Sequence, residues 1–294
     1  MNGLSNYITE VPWEEIITVW YVHVNDSYQK ICQRLKKPVR SRGPEPVLSD
    51  SEVITIALII ETFFQGHEEV GYAFVSQYLT DLFRNLIDLD RFNQRRRELV
   101  WFIEAIRRDH RDQIIDPSDR LRIVDSAPIT TMTYTRGARC KSMVGSEYFG
   151  VVTSKKGKFF GLRLHATVTA EQLIDEWLLA PASSTDAKVL DELVLDCRDL
   201  SLIGDKAYND AELEQRLWRK RQIHLLPLRK DNQDHQWPDD IRRILGRVRH
   251  QVETVFSTLT TVFNVQRPRG RSLAGHVTRI ATCVLAHTLS FLMV

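Results

Sequence analysis

Apolar and polar residues follow two different periods along this chain, and the change of period divides it. In the first third the spacing is helical. Ser49-Asp50-Ser51-Glu52 has the form of a capping box, with a Ser side chain accepting from a free backbone N–H and Glu three residues on reaching back. The apolar run Val53–Phe64 follows, interrupted by Glu61, and Gly66 is placed to stop it. Tyr72–Leu86 and Phe92–Ile106 continue at helical spacing, the latter through Leu99, Phe102, Ile103 and Ile106. Arg42-Gly-Pro-Glu-Pro46 reads as a loop, and Asp112–Arg120, with Pro117, as a linker.

Beyond the linker the period shortens. Leu121–Val124 is a short apolar run that ends at Asp125. Phe149–Val152, a Lys155-Lys156-Gly157-Lys158 turn and Phe159–Val168 predict a hairpin, in which Leu162, Leu164, Ala166 and Val168 alternate with Arg163, His165 and Thr167. Ser184–Leu195 returns to helical spacing, Leu200–Gly204 is a strand ending at Asp205, Ala211–Arg221 a helix and Ile223–Leu228 a strand. A long helix starts near Asp239-Asp240, where acidic residues favour a helix N-terminus. Its stripe is Ile241, Ile244, Val248, Val252, Val255, Leu259 and Val262, and Leu273–Val294 predicts a last apolar helix. The pattern implies an all-helical N-terminal domain, residues 1–118, followed by a mixed α/β domain, residues 119–294.

Composition adds limits. With 43% hydrophobic and 27% charged residues, the 294-residue chain is neither disordered nor fibrous. The net charge of +2 says little, but its distribution is uneven: Glu212–Arg271 holds 13 Lys and Arg against 7 Asp and Glu. Further basic clusters are Arg95, Arg96 and Arg97 with Arg107, Arg108 and Arg111, and Arg34 with Lys36, Lys37, Arg40 and Arg42. Such patches suit a polyanion, and equally suit solvated helix faces. The four dispersed cysteines form no Cys-x-x-Cys pair and read as reduced thiols, not a zinc site. No signal peptide opens the chain and no apolar run is long enough for a bilayer, so the expected compartment is the cytoplasm, with no membrane contact.

Three carboxylates carry the candidate chemistry. Asp125 follows Ile123-Val124 and Asp205 follows Leu202-Ile203-Gly204, which puts both at the carboxyl rim of a sheet, where ligands commonly bind. Either one alone could be a turn residue. Glu253 lies in the middle of the long helix, beside its apolar stripe, with Arg249 one turn earlier on the same face. Magnesium is held by a few hard carboxylate oxygens, and two such ions about 4 Å apart can activate an attacking oxygen and stabilise a leaving one.

The residues Ile123-Val124-Asp125-Ser126-Ala127-Pro128-Ile129, Phe160-Gly161-Leu162-Arg163-Leu164-His165, Gly204-Asp205-Lys206-Ala207-Tyr208 and Arg249-x3-Glu253-x2-Phe256-x2-Leu259 give the chain a family likeness. It resembles the DDE transposases of small bacterial insertion sequences over nearly its whole length. The front segment, from Leu48–Glu52 through Arg91–Arg95, resembles the helical lead-in of that family. The resemblance implies an RNase H-like mixed sheet flanked by helices, with Asp125, Asp205 and Glu253 as catalytic metal ligands for two Mg²⁺ ions, which Mn²⁺ could replace. It implies cleavage at transposable-element ends and strand transfer into target DNA. The partners are then double-stranded DNA, both terminal inverted repeats and target, and a second copy of the chain in a homodimer on paired ends. Arg249 would brace Glu253 or meet a phosphate, Lys206 and Tyr208 would contact DNA near the cut end, and His165 would either approach the site or pack within its strand. Related transposases often carry a Tyr seven residues before the glutamate and a Lys seven after it, where this chain has Gly246 and Thr260. Arg267, Arg269 and Arg271 are candidate substitutes, and Arg95, Arg96 and Arg97 are candidates for grip in the front domain. A nuclease that only hydrolyses, or an inactive DNA-binding protein, would share much of this pattern.

Overall fold

The computed structural model describes residues 11–35, 46–152, 157–229, 233 and 236–292. Lys36, Lys37, Arg40 and Arg42, most of the loop at 42–46, the Lys155-Lys156 part of the hairpin turn and the last two residues of the C-terminal helix lie outside them. The chain forms two compact units. The first comprises Met1–Ile114 and Leu259–Val294, the second Ile115–Thr258.

In the first unit, helices α1 (Trp13–Leu35), α2 (Asp50–Phe64), α3 (Glu68–Tyr78), α4 (Leu89–Glu98) and α5 (Val100–Ile114) are joined by α9 (Leu273–Leu289) from the far end of the chain. The capping box of α2 forms on both sides. Ser49 Oγ accepts from the Glu52 N–H at 3.2 Å, and Glu52 Oε2 accepts from the Ser49 N–H at 2.6 Å. Gln65 and Gly66 then take the left-handed backbone that ends the helix, and a Cβ on Gly66 would strike the Arg279 guanidinium. The expected helix at 72–86 stops at Tyr78, and the one at 92–106 is broken at Leu99 and starts earlier, behind the Asp88 cap.

Helices α2 and α9 are buried on nearly every side, which makes them the centre of the unit. The compact units divide differently from the expected domains: residues 259–294 group with the helical unit, because the apolar α9 packs against α2 and α5. Glu61 sits fully buried in this core between two arginines. Arg279 of α9 donates from Nε to Glu61 Oε2 at 2.8 Å and from Nη2 to the Gln65 and Phe263 carbonyls, while Arg96 Nη1 lies 3.4 Å from Glu61 Oε1.

The second unit is a six-stranded mixed sheet of β1 (Leu121–Met132), β2 (Phe149–Val152), β3 (Gly157–Val168), β4 (Ile174–Pro181), β5 (Ser201–Gly204) and β6 (His224–Pro227). Its order is β2-β3-β1-β5-β6, with β4 sharing the outer edge of the long β3. β1 runs antiparallel to β3 and parallel to β5, and β5 is parallel to β6. Helices α6 (Asp186–Leu193), α7 (Ala211–Arg221) and α8 (Asp239–Phe263) complete the elements. Leu190 and Leu193 of α6 and Leu213 and Leu217 of α7 pack on Val124, Leu202 and Leu225 of the sheet. α8 belongs to this unit as far as Thr258.

Two elements differ from the sequence expectation. β1 does not end at Asp125 but runs seven residues further, to Met132, paired along β3. β4 was not expected, because Asp175 and Glu176 interrupt its apolar run, yet both are buried. Asp175 Oδ2 accepts from Arg122 Nε at 2.6 Å, so a strand that looks polar in sequence lies inside the fold.

The Glu61 pairing generates a stability prediction. Glu61→Gln takes the counter-charge from buried Arg279 and leaves Arg96 with the partly exposed Glu68 alone, and breaking such a buried pair costs about 3–5 kcal/mol. Urea unfolding of the variant should show a loss of that order, and a loss below about 1 kcal/mol would contradict the role given to Glu61.

Candidate active site

The parallel pairing of β1 with β5 matches Leu121 with Ser201, Arg122 with Leu202 and Ile123 with Ile203. Two residues further along each strand stand Asp125 and Asp205, level with each other where β5 ends at Gly204. Asp125 stays in the strand through its pairing with Ala166 of β3. Asp205 caps a short 3₁₀ turn, its Oδ1 accepting from the Ala207 N–H at 2.7 Å, and Asp125 Oδ1 accepts from the Ser126 N–H at 2.8 Å.

The third carboxylate comes from α8. A single nitrogen, Arg249 Nη2, lies 3.6 Å from Asp125 Oδ2 and 3.3 Å from Glu253 Oε1. His250 Nδ1 is 2.9 Å from Glu253 Oε2. Glu253 is half exposed and turned to these partners, and among the described residues no three His, Cys, Asp or Glu side chains are grouped closely enough to hold an ion. The arrangement is thus an aspartate pair with a glutamate held one guanidinium away.

Electrostatics set Asp125 apart. Burial pushes its carboxyl up to about 6, and the negative charges of Asp205 and Asp186 push the same way, against the Ser126 N–H and Arg249. Asp186, in the first turn of α6, was not singled out in the sequence, where it reads as an ordinary helix-start acid. The fold brings it to Ser126, whose Oγ donates to Asp186 Oδ1 at 2.7 Å. His165, buried on β3, has Nδ1 3.5 Å from the same oxygen. Burial and then Arg163 drive the His165 ring down to about 3, so it is neutral at ordinary pH and packs within its strand.

The remaining sequence candidates divide. Lys206 is exposed directly after Asp205. Tyr208 is not a surface contact: its ring is 1% exposed, inside the cluster formed with Leu190, Leu202 and Leu213. This corrects the expectation that it touches DNA, and its phenol has no hydrogen-bond partner among the described residues. In the helical unit, Arg95 pairs with Asp50 and the Leu48 carbonyl, and Arg96 is buried on Glu61 and Glu68. Neither can reach a phosphate from there. Arg107 and Arg108 pair with Glu104, and Arg111 with Asp112. Arg97 is exposed and lines a cleft of about 780 Å³ together with Arg91, Arg269 and Arg271. Glu68, Glu69 and Asp90 also line it, and Arg267, exposed, stands outside. Arg97, Arg269 and Arg271 have no ion-pair partner among the described residues.

The sequence profile of a family described as Transposase DDE domain matches residues 116–289. No curated relative matches the chain. A solved structure, titled as the crystal structure of the Mos1 strand transfer complex, aligns over 87% of this chain and 84% of its own at 14% identity. Its TM-score of 0.24 is too low to establish a shared fold by itself. No helix among the described residues is long and apolar enough to cross a membrane.

The raised Asp125 value predicts a stability signature. Its folded-state value of about 6 lies above the ordinary 3.8, so the folded chain holds the proton more tightly than the unfolded one. The stabilisation linked to that proton is complete below the ordinary value and is lost as pH rises through the folded one. At pH 7 without metal, Asp125→Asn should therefore be more stable than wild type, by up to about 3 kcal/mol, and the gap should close near pH 4. Chemical unfolding at the two pH values checks this, and a variant less stable than wild type at pH 7 would contradict it.

Proposed function

Because the chain belongs to the transposase DDE domain family, and is through that membership a DNA transposase with an RNase H-like catalytic fold, we propose that Asp125, Asp205 and Glu253 are its catalytic carboxylates. The observation that carries this reading is the parallel register of β1 and β5, which brings two carboxylates level at one strand end. The donor set suits a hard divalent cation. The space between Asp125 and Glu253 already accommodates one positive group, the Arg249 guanidinium. We assign the cation as Mg²⁺, two ions per site, with Mn²⁺ able to replace it. Bound there, the ions would supply activation of the attacking oxygen and stabilisation of the leaving one.

The residues of the chain have separate tasks in this scheme. Asp125 and Asp205 form the fixed half of the site, because backbone N–H groups of Ser126 and Ala207 hold their carboxylates. Glu253 forms the movable half, since its carboxylate is half exposed and its partners are side chains of its own helix. Arg249 keeps Glu253 and Asp125 from repelling each other and is released to a DNA phosphate as the site fills. Lys206, exposed beside Asp205, meets the DNA near the cut. The reaction is hydrolysis at the element's ends followed by attack of the freed 3′-OH on target DNA, in which positioning and electrostatic stabilisation do most of the work.

Grip on double-stranded DNA is a second part of the proposal. Arg97, Arg269 and Arg271, drawn from two distant stretches of chain, line one cleft of the helical unit and are not committed to ion pairs among the described residues. The transposase acts as a homodimer on paired ends, because both ends of an element must be joined to one target.

Asp125→Asn, Asp205→Asn and Glu253→Gln should each remove cleavage and strand transfer of a labelled terminal repeat while the folded protein still binds it. Losses should not add, since the three act together. Activity should need Mg²⁺ or Mn²⁺, with Ca²⁺ a poor substitute because of its larger, looser coordination. Cleavage within about tenfold of wild type in any single variant would remove that residue from the site.

Replacing Arg97, Arg269 and Arg271 together with alanine should weaken binding to all duplex DNA. The slope of log affinity against log salt should flatten by about 0.9 for each phosphate that is no longer neutralised. An unchanged slope in a titration at several salt concentrations would take the grip away from this cleft.

A further inference from the structure

Asp186 bears on the aspartate pair, and the proposed reaction has not used it. It stands at the first position of α6, yet its side chain does not cap that helix. The cap is Thr185, whose side chain makes no capping hydrogen bond, and Asp186 instead accepts from Ser126 Oγ at 2.7 Å across 60 residues of chain. Arg163 Nη1 donates to the same hydroxyl at 3.3 Å, so Ser126 Oγ accepts from the arginine and gives its own proton to Asp186. The backbone N–H of that same serine holds Asp125 Oδ1 at 2.8 Å. Asp186, Ser126 and Asp125 therefore form one connected line.

A second observation points to the same place. Tyr208 Oη is buried and has no hydrogen-bond partner among the described residues, and the charges that bear on it are those of Asp186, Asp125 and Asp205, with Arg163 opposing them. A buried hydroxyl without a partner is costly, and each such exception in a folded protein calls for an explanation, a place for an ion among them.

We propose that Asp186 is a positioning residue for the divalent-cation site, acting through Ser126 to fix the Asp125 carboxylate. This rests on the assignment of Asp125 and Asp205 as metal ligands. Partners of this kind orient the ligand and keep it charged, and their loss costs about 10–100-fold in metal affinity.

The test is Mn²⁺ binding to the full chain by titration calorimetry, without DNA and without any activity readout. Asp186→Asn keeps size and shape and should weaken Mn²⁺ binding by about 10–100-fold. Ser126→Ala cuts the line at its middle and should weaken it too. The double variant should be no worse than the weaker single one by more than about twofold, because coupled residues fail to add. Wild-type affinity in folded Asp186→Asn, with Asp125→Asn having lost the metal, overturns the role of Asp186 and leaves the catalytic assignment standing. Should Asp186→Asn fail to fold by circular dichroism, Ser126→Ala decides, and wild-type affinity in that variant overturns the proposal. A wild-type chain that binds no Mn²⁺ at millimolar concentration contradicts the metal assignment itself, and this inference with it.

Discussion

Three parallel residue pairs between β1 and β5 fix everything that follows in the sheet unit. Leu121, Arg122 and Ile123 take their register from Ser201, Leu202 and Ile203, and the chain then delivers one aspartate from each strand at the same height. A slip of one residue would turn the side chains of one strand to the opposite face and separate the carboxylates. The packing beneath protects this register. Val124 and Leu202 are both fully buried against α6 and α7, so neither strand can shift without exposing its core side chains.

The two units treat buried acid in opposite ways. Glu61 is fully buried and answered by two arginines, and the peptide carbonyls at Gln65 and Phe263 take up the remaining Arg279 donors. That network is closed and holds α2, α4 and α9 together. Asp125 is partly buried and has one guanidinium, 3.6 Å off and shared with Glu253, while two more aspartates press on it. A carboxylate left so poorly compensated lowers the stability of the empty protein. Such groups cluster where a site must take in charge from outside. This contrast supports the proposal that Asp125 serves a ligand, where Glu61 serves the fold.

Much of this was legible in the sequence, and the failures have physical reasons. The capping box at Ser49–Glu52, the helix at Ala211–Arg221 and the start of α8 at Asp239 were readable because caps and acidic first turns are local signals. Asp125 and Asp205 stood out because each follows a short apolar run. β4 was hidden because Asp175 is neutralised by Arg122, a partner 53 residues away, and no local pattern reports that. Asp186 was hidden for the same reason, its partner Ser126 being distant in sequence. The arginines at 95 and 96 looked like a surface patch until tertiary pairing with Asp50 and Glu61 drew them inward. Tyr208 follows Asp205 so closely that it looked like part of the rim, but the 3₁₀ turn points it into the core. The packing of the last helix was not legible, because its apolar surface is matched by α2 and α5, far back in the chain.

In the proposed site Asp125 and Asp205 together receive a divalent cation, with Glu253 recruited from Arg249. A crystal of the wild-type chain soaked in Mn²⁺, with anomalous scattering used to locate the ion, tests this. An anomalous peak is expected within bonding distance of carboxylate oxygens from both Asp125 and Asp205, with the Arg249 side chain moved away from Asp125. An Mn²⁺-soaked crystal with no peak at this pair, and with Arg249 still joining Asp125 to Glu253, would contradict it.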